Sequence, residues 1–134
     1  MEKKFPKQID RLDEMTGFVQ SSLTELNVPE EYVHPIAFIL EELFTNTVKY
    51  NGSSRSDVVL SIGREGDRLI VTVRDHTAAP FNPLQHKDPD PGAPLEGRTP
   101  GGLGIFLVKK IVDDIRYEYA NGESVITIVK NLNV

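Results

Sequence analysis

Apolar side chains recur at Ile9, Leu12, Met15, Val19, Leu23 and Leu26, a helical spacing that builds one buried stripe. Asn27-Val28-Pro29 stops that helix. A second helical region covers about residues 30–50, and in it Ile36, Leu40, Leu43, Phe44 and Thr47 share one face. Pro35 lies inside this region, so the helix proper begins there or its first turns are kinked. Asn51-Gly52 and the polar run Ser53-Ser54-Arg55-Ser56 end it.

The period then changes from helix to strand. Val58, Leu60 and Ile62 alternate with Val59, Ser61 and Gly63, and Leu69, Val71 and Val73 alternate with Ile70, Thr72 and Arg74. Glu65-Gly66-Asp67 turns between them, which predicts a β-hairpin with both faces partly apolar. Residues 76–102 carry six of the nine prolines, four glycines and almost no periodicity, the composition of a lid or binding loop or of a disordered surface insertion. Leu103, Phe106, Leu107, Val108 and Ile111 then predict a short amphipathic helix with Gly101-Gly102 at its N-terminus. Ile115, Tyr117 and Tyr119 alternate as a strand, Asn121-Gly122 is a two-residue hairpin signal, and residues 125–129 return. The order α, α, β, β, loop, α, β, β predicts an α+β two-layer sandwich, its sheet mostly antiparallel with helices on one face. The whole of residues 1–134 reads as a single domain.

Composition narrows the function. A net charge of −5 argues against broad nucleic-acid binding, which needs a basic surface to displace counterions. No apolar run is long enough to span a bilayer, and the polar start Met1-Glu2-Lys3-Lys4 has no signal-peptide core behind it. With no cysteine, disulfides and thiolate metal sites are excluded, and the expectation is a cytoplasmic protein without membrane or nucleic-acid partners. An acidic domain that handles a phosphate compound does so by local geometry: glycine-loop amides, a helix N-terminus or a bound metal.

Three elements could carry such chemistry. Glu42, Asn46 and Lys49, at steps of four and three, lie on one helical face opposite the apolar stripe. That face suits a plain solvated surface, and equally a metal-nucleotide, the amide oxygen of Asn46 ligating Mg²⁺ and Glu42 deprotonating a hydroxyl. Asp75 leaves an apolar strand, as a turn former or as an acceptor for the exocyclic amine of a base. Pro100-Gly101-Gly102-Leu103-Gly104 opens a helix, where glycines allow close backbone approach and free amides favour phosphate; a tight loop-to-helix turn needs the same residues. The three histidines have no metal-ligand spacing.

In this order and context the sequence resembles the GHKL (Bergerat-fold) ATPases, and within them the bacterial anti-sigma factor and serine-protein kinase family. Glu42 to Asn46 matches the N-box. Asp75 with Ala79-Pro80-Phe81-Asn82-Pro83 looks like the first glycine box, and residues 101–108 look like the second, continued by residues 113–117. The resemblance implies that Glu42 is the catalytic general base and that Asn46 ligates the metal. It implies that Asp75 binds adenine, with Lys49, Phe81 and Arg98 also toward the nucleotide. Residues 82–100 would form the ATP lid, and Gly101, Gly102, Leu103 and Gly104 would line the phosphates. ATP and Mg²⁺ are the implied cofactors. The implied activity is phosphorylation of a serine on a small anti-sigma factor antagonist, with a sigma factor as a further partner and a homodimer as the assembly. The chain departs from the family in reading Asp75-His76-Thr77 where Asp-x-Gly is usual. A partner-switch module that binds ATP without transferring phosphate is the alternative. A histidine-kinase catalytic domain fits less well, since the chain has no room for the helical hairpin that carries a phospho-accepting histidine.

Overall fold

The computed structural model describes residues 1–51, 57–76 and 102–132. The first stripe becomes α1 (Leu12–Glu25), preceded by a 3₁₀ turn at Ile9–Arg11. Its end is chemically defined. Asn27 takes a left-handed backbone (φ 58°), its N–H donates to the Thr24 carbonyl at 3.1 Å, and the Val28 N–H donates to the Leu23 carbonyl at 3.0 Å. This pair of bonds satisfies carbonyls that a helix end leaves open, with Asn in a place glycine often takes. α2 (Val33–Asn51) begins two residues before Pro35, which therefore sits in the first turn, where a missing N–H costs no intrahelical bond.

Five strands form one antiparallel sheet in the order β1-β2-β3-β5-β4: β1 (Glu2–Phe5), β2 (Val58–Glu65), β3 (Arg68–His76), β4 (Asp114–Ala120) and β5 (Glu123–Asn131). The two hairpins form at the expected turns. Gly66 has φ 60°, and Asn121 and Gly122 have φ 55° and 75°, left-handed values that two-residue hairpin turns require. The sequence gives no sign of β1. Glu2, Lys3 and Lys4 are charged and exposed, and only Phe5 turns inward, so the strand exists through its pairing with β2, from Glu2 opposite Ser61 to Phe5 opposite Val58. Charged residues on an edge strand also discourage further pairing.

Leu60, Ile62, Leu69, Val71, Ile126 and Ile128 point from the sheet into a continuous core with Met15, Val19 and Leu23 of α1 and Ile36, Leu40, Leu43 and Phe44 of α2. The opposite sheet face, with Val59, Ser61, Ile70, Thr72, Val125 and Thr127, is only half-buried. The result is the two-layer α+β sandwich, helices on one face. α3 (Gly102–Ile111) contributes Val108 to the core, and packs against α2. Leu107, expected on the apolar face of that helix, is instead exposed, because Val108 takes the inward position next to it. The Asp113 N–H bonds the Val129 carbonyl at 3.0 Å and Lys130 Nζ donates to the Ile111 carbonyl at 2.9 Å, which ties the end of α3 to β5. Among the described residues no helix is long and apolar enough to cross a membrane.

Candidate functional site

The inward residues of β3 run Leu69, Val71, Val73 and Asp75, at 0, 1, 5 and 4% exposure. Asp75 thus ends an apolar series without leaving the interior, which a turn-forming aspartate would do. Its register places it in a row across the sheet: Phe5 beside Val58, Val58 beside Asp75, Asp75 beside Ser124, and Ser124 beside Tyr119. Facing residues of antiparallel neighbours lie on one side, so the row is one surface under the helices. Ser124 is buried, and its Oγ lies 3.3 Å from the Tyr117 hydroxyl.

Charge compensation for Asp75 comes from Lys7. The Lys7 ammonium forms a buried ion pair with Asp75 Oδ1 and donates to the His76 carbonyl oxygen at 3.2 Å. Burying a carboxylate without such a partner is costly, and a paired one is tolerated.

The second group lies on α2. Asn46 is 3% exposed and its amide nitrogen has no hydrogen-bond partner among the described residues. Placing this face opposite the apolar stripe is therefore corrected. α2 lies between α1 and α3 and over the sheet, so it is buried on more than one side, and Asn46 looks into the protein rather than at solvent. A buried amide end left open is uncommon enough to require a cause, and a bound group is one. Glu42, one turn earlier, is half-buried and has no hydrogen-bond or ion-pair partner among the described residues. Burial raises its pKa above the ordinary glutamate value, and the negative charge of Glu41 raises it further. Glu41 itself is committed to α1, accepting from Thr16 Oγ1 at 3.0 Å. The two adjacent acids are thereby distinguished: one is a tie between helices and the other is available.

Asp75 is thus joined to Lys7 and Ser124 by the sheet, while Glu42 and Asn46 share one stretch of α2. The backbone of Lys49 continues α2, and Gly102, Leu103 and Gly104 form the first turn of α3. The side chain of Lys49, together with Phe81, Arg98, Gly101 and the lid over residues 82–100, lies outside the described residues. Lys7 and Ser124 escaped sequence reasoning for different reasons. Lys7 stands in a charged N-terminal segment that reads as solvated. Ser124 could have been found, because the Asn121-Gly122 turn fixes its pairing with Tyr119 and hence its inward direction.

The open amide nitrogen of Asn46 is a hydrogen-bond donor and suits an acceptor such as a phosphate oxygen. Among the described residues no group of three or more histidines and acids could hold an ion. A single amide oxygen can join magnesium that keeps its waters and arrives with phosphates.

Comparison with known proteins identifies the family and the fold. A sequence model of the histidine kinase-like ATPase domain matches residues 5–130. The chain is similar to the serine-protein kinase RsbW of Listeria monocytogenes, at 28% identity over 72% of this chain and 64% of that protein. It is also similar to the serine-protein kinase RsbW of Bacillus velezensis, at 25% identity over 99% of this chain and 86% of that one. The chain thus spans about 64% of the length of the Listeria relatives. Among solved structures, the RsbU and RsbW domains of a Mycobacterium tuberculosis protein superpose with a TM-score of 0.69 at 14% identity, over 98% of this chain and 32% of that one. The Acinetobacter baumannii histidine kinase AdeS gives 0.56 at 17% identity, over 100% and 68%. At these identities the structural likeness concerns the fold.

Proposed function

Because the chain belongs to the histidine kinase-like ATPase domain family, we propose that it binds ATP with Mg²⁺ and phosphorylates a serine on a small anti-sigma factor antagonist. The observation that carries this reading is the pair on α2: a half-buried glutamate and, one turn on, a buried amide whose nitrogen has no acceptor among the described residues, a donor that a phosphate oxygen would complete. Interior groups left open in this way suit a ligand that completes them.

Glu42 is the general base in this reading. Its raised pKa brings it toward the working pH, where a base both exists ionised and accepts a proton with useful driving force. Asn46 would hold the magnesium, which when bound offsets charge on the transferring phosphoryl group. Asp75 accepts the adenine amine. Residues 82–100 form the lid, with Phe81, Lys49 and Arg98 toward the nucleotide and Gly101, Gly102, Leu103 and Gly104 along its phosphates. α3 is about 15 Å long by its ten residues, and its C-terminal end is tied to β5 beside Val129. Residues 1–134 act as one cytoplasmic domain that pairs with a second copy, and the partner switch extends to a sigma factor.

Radiolabelled ATP and a purified antagonist domain test the proposal. Wild-type protein should transfer the γ-phosphate, and Glu42→Ala should bind ATP within a few-fold of wild type yet lose transfer by about 10²-fold or more. Wild-type protein that binds ATP but transfers nothing to any antagonist would leave a binding-only switch module. Absence of ATP binding would end the reading altogether.

A further inference from the structure

One buried charge has no part in that scheme. The Lys7 side chain is 2% exposed, and lysine is rarely interior unless paired. Its position is built by the segment around it. Phe5 is fully buried with its ring 5.7 Å from that of Phe18, which anchors the end of β1. The Phe5–Val58–Asp75 register leaves the chain one strand away from β3. Pro6 then starts a tight turn, closed by the Gln8 N–H on its carbonyl at 2.8 Å, and Lys7 reaches across the end of β2 to Asp75 and the His76 carbonyl.

We propose that Lys7 is a positioning residue of the nucleotide site: it holds the Asp75 carboxylate charged and oriented, and so sets selectivity for a base that carries an exocyclic amine. This rests on the reading in which Asp75 accepts that amine. A carboxylate offers about four lone-pair positions, and an ammonium on Oδ1 takes up only part of them. Without a counter-charge, a carboxylate buried beside Val58 and Val73 is driven toward its neutral form, which presents a hydrogen of its own. The neutral carboxyl keeps a carbonyl acceptor but loses the charge that makes the bond from the amine about twice as strong. Lys7 prevents that, and its attachment to β1 makes base recognition depend on the docked N-terminal strand.

The test pairs a protein change with a ligand change. ATP and purine riboside triphosphate, which lacks the amine, are titrated into the full chain as wild type, Lys7→Met and Lys7→Arg. Wild type should favour ATP by about 10- to 100-fold, the worth of one hydrogen bond to a charged group. In Lys7→Met the preference should fall to within about threefold, and Lys7→Arg should restore part of it. A merely structural lysine would lower both affinities together and leave their ratio alone, which overturns the inference. Tighter ATP binding by Lys7→Met also overturns it, since Lys7 would then compete with the amine. Should Lys7→Met fail to fold, Lys7→Gln keeps a neutral donor near the carboxylate and carries the same comparison. Wild type that binds neither triphosphate overturns the nucleotide reading and this inference together. Wild type that discriminates while the variants discriminate equally overturns this inference alone.

Discussion

The two ends of the inward sheet face are made by the same strands and hold opposite chemistry. At the β2–β3 turn, Ile62, Leu69, Ile128 and Leu132 are buried and apolar. Polar groups there close backbone ends: Arg64 donates to the Leu26 and Asn27 carbonyls at 3.0 and 2.8 Å, sealing the end of α1. At the other end the row includes Asp75 and Ser124, and Lys7 enters from β1. Nothing about the sheet requires this. The apolar end shows that Val and Leu fill such places, and apolar replacement of a buried ion pair is often neutral or stabilising. Polar groups retained where apolar ones would pack are what the proposed nucleotide site requires.

Two substitutions would break the contrast if it is wrong. Asp75→Ala leaves the Lys7 ammonium buried without its carboxylate and should cost about 3–5 kcal/mol, read from urea unfolding. Adding Lys7→Met should recover most of that loss without recovering ATP affinity. Leu69→Ala at the other end should cost about 2–5 kcal/mol by opening a cavity, and the protein that remains folded should bind ATP as wild type does. Failure of the double variant to recover stability would mean that the pair holds the fold together, and the contrast between the two ends would fall.

The same contrast explains what the sequence disclosed. The hairpins, helices and layer order were legible because their signals are local: alternation in Val58 to Ile62, Asn121-Gly122 at a turn, Asn27 at a helix end. β1 was not, because a strand of Glu2, Lys3 and Lys4 exists only through a neighbour distant in sequence. The site was legible in part. Glu42, Asn46 and Asp75 stood out as polar residues in a recognisable order, but the inward direction of Asn46 depends on α1 and α3 covering its helix. Lys7 carried no signal, since its partner lies 68 positions away. Ser124 sits between those cases, readable once the turn before it is fixed.

Ser124 sharpens the polar end with a smaller effect. Its Oγ and the Tyr117 hydroxyl are 3.3 Å apart, long for a hydroxyl pair, so Ser124→Ala should cost about 0.5–1 kcal/mol. If the row serves the base, ATP affinity should fall more than stability does, which parallel calorimetry and urea titration would separate. Equal small losses in both would make Ser124 packing alone.

The smallest expected change in stability comes from Glu42, and its sign is the informative part. Burial and the Glu41 charge raise the Glu42 pKa in the folded protein, so folding favours its neutral form. The stability that this group contributes is complete below the ordinary carboxylate range and is lost as pH rises through the raised value. Glutamine keeps the shape and carries no charge. Glu42→Gln should therefore be more stable than wild type at neutral pH, by at most about 1 kcal/mol for a partly exposed group, and the difference should vanish below about pH 4. Phosphotransfer should be lost in the same protein. Urea midpoints at the two pH values decide the matter: a variant less stable at neutral pH would mean that the folded protein holds Glu42 charged with a partner, and a general base waiting for a hydroxyl would no longer describe it. A more stable, inactive variant would mean that the fold bears a cost for keeping this acid where the chemistry needs it.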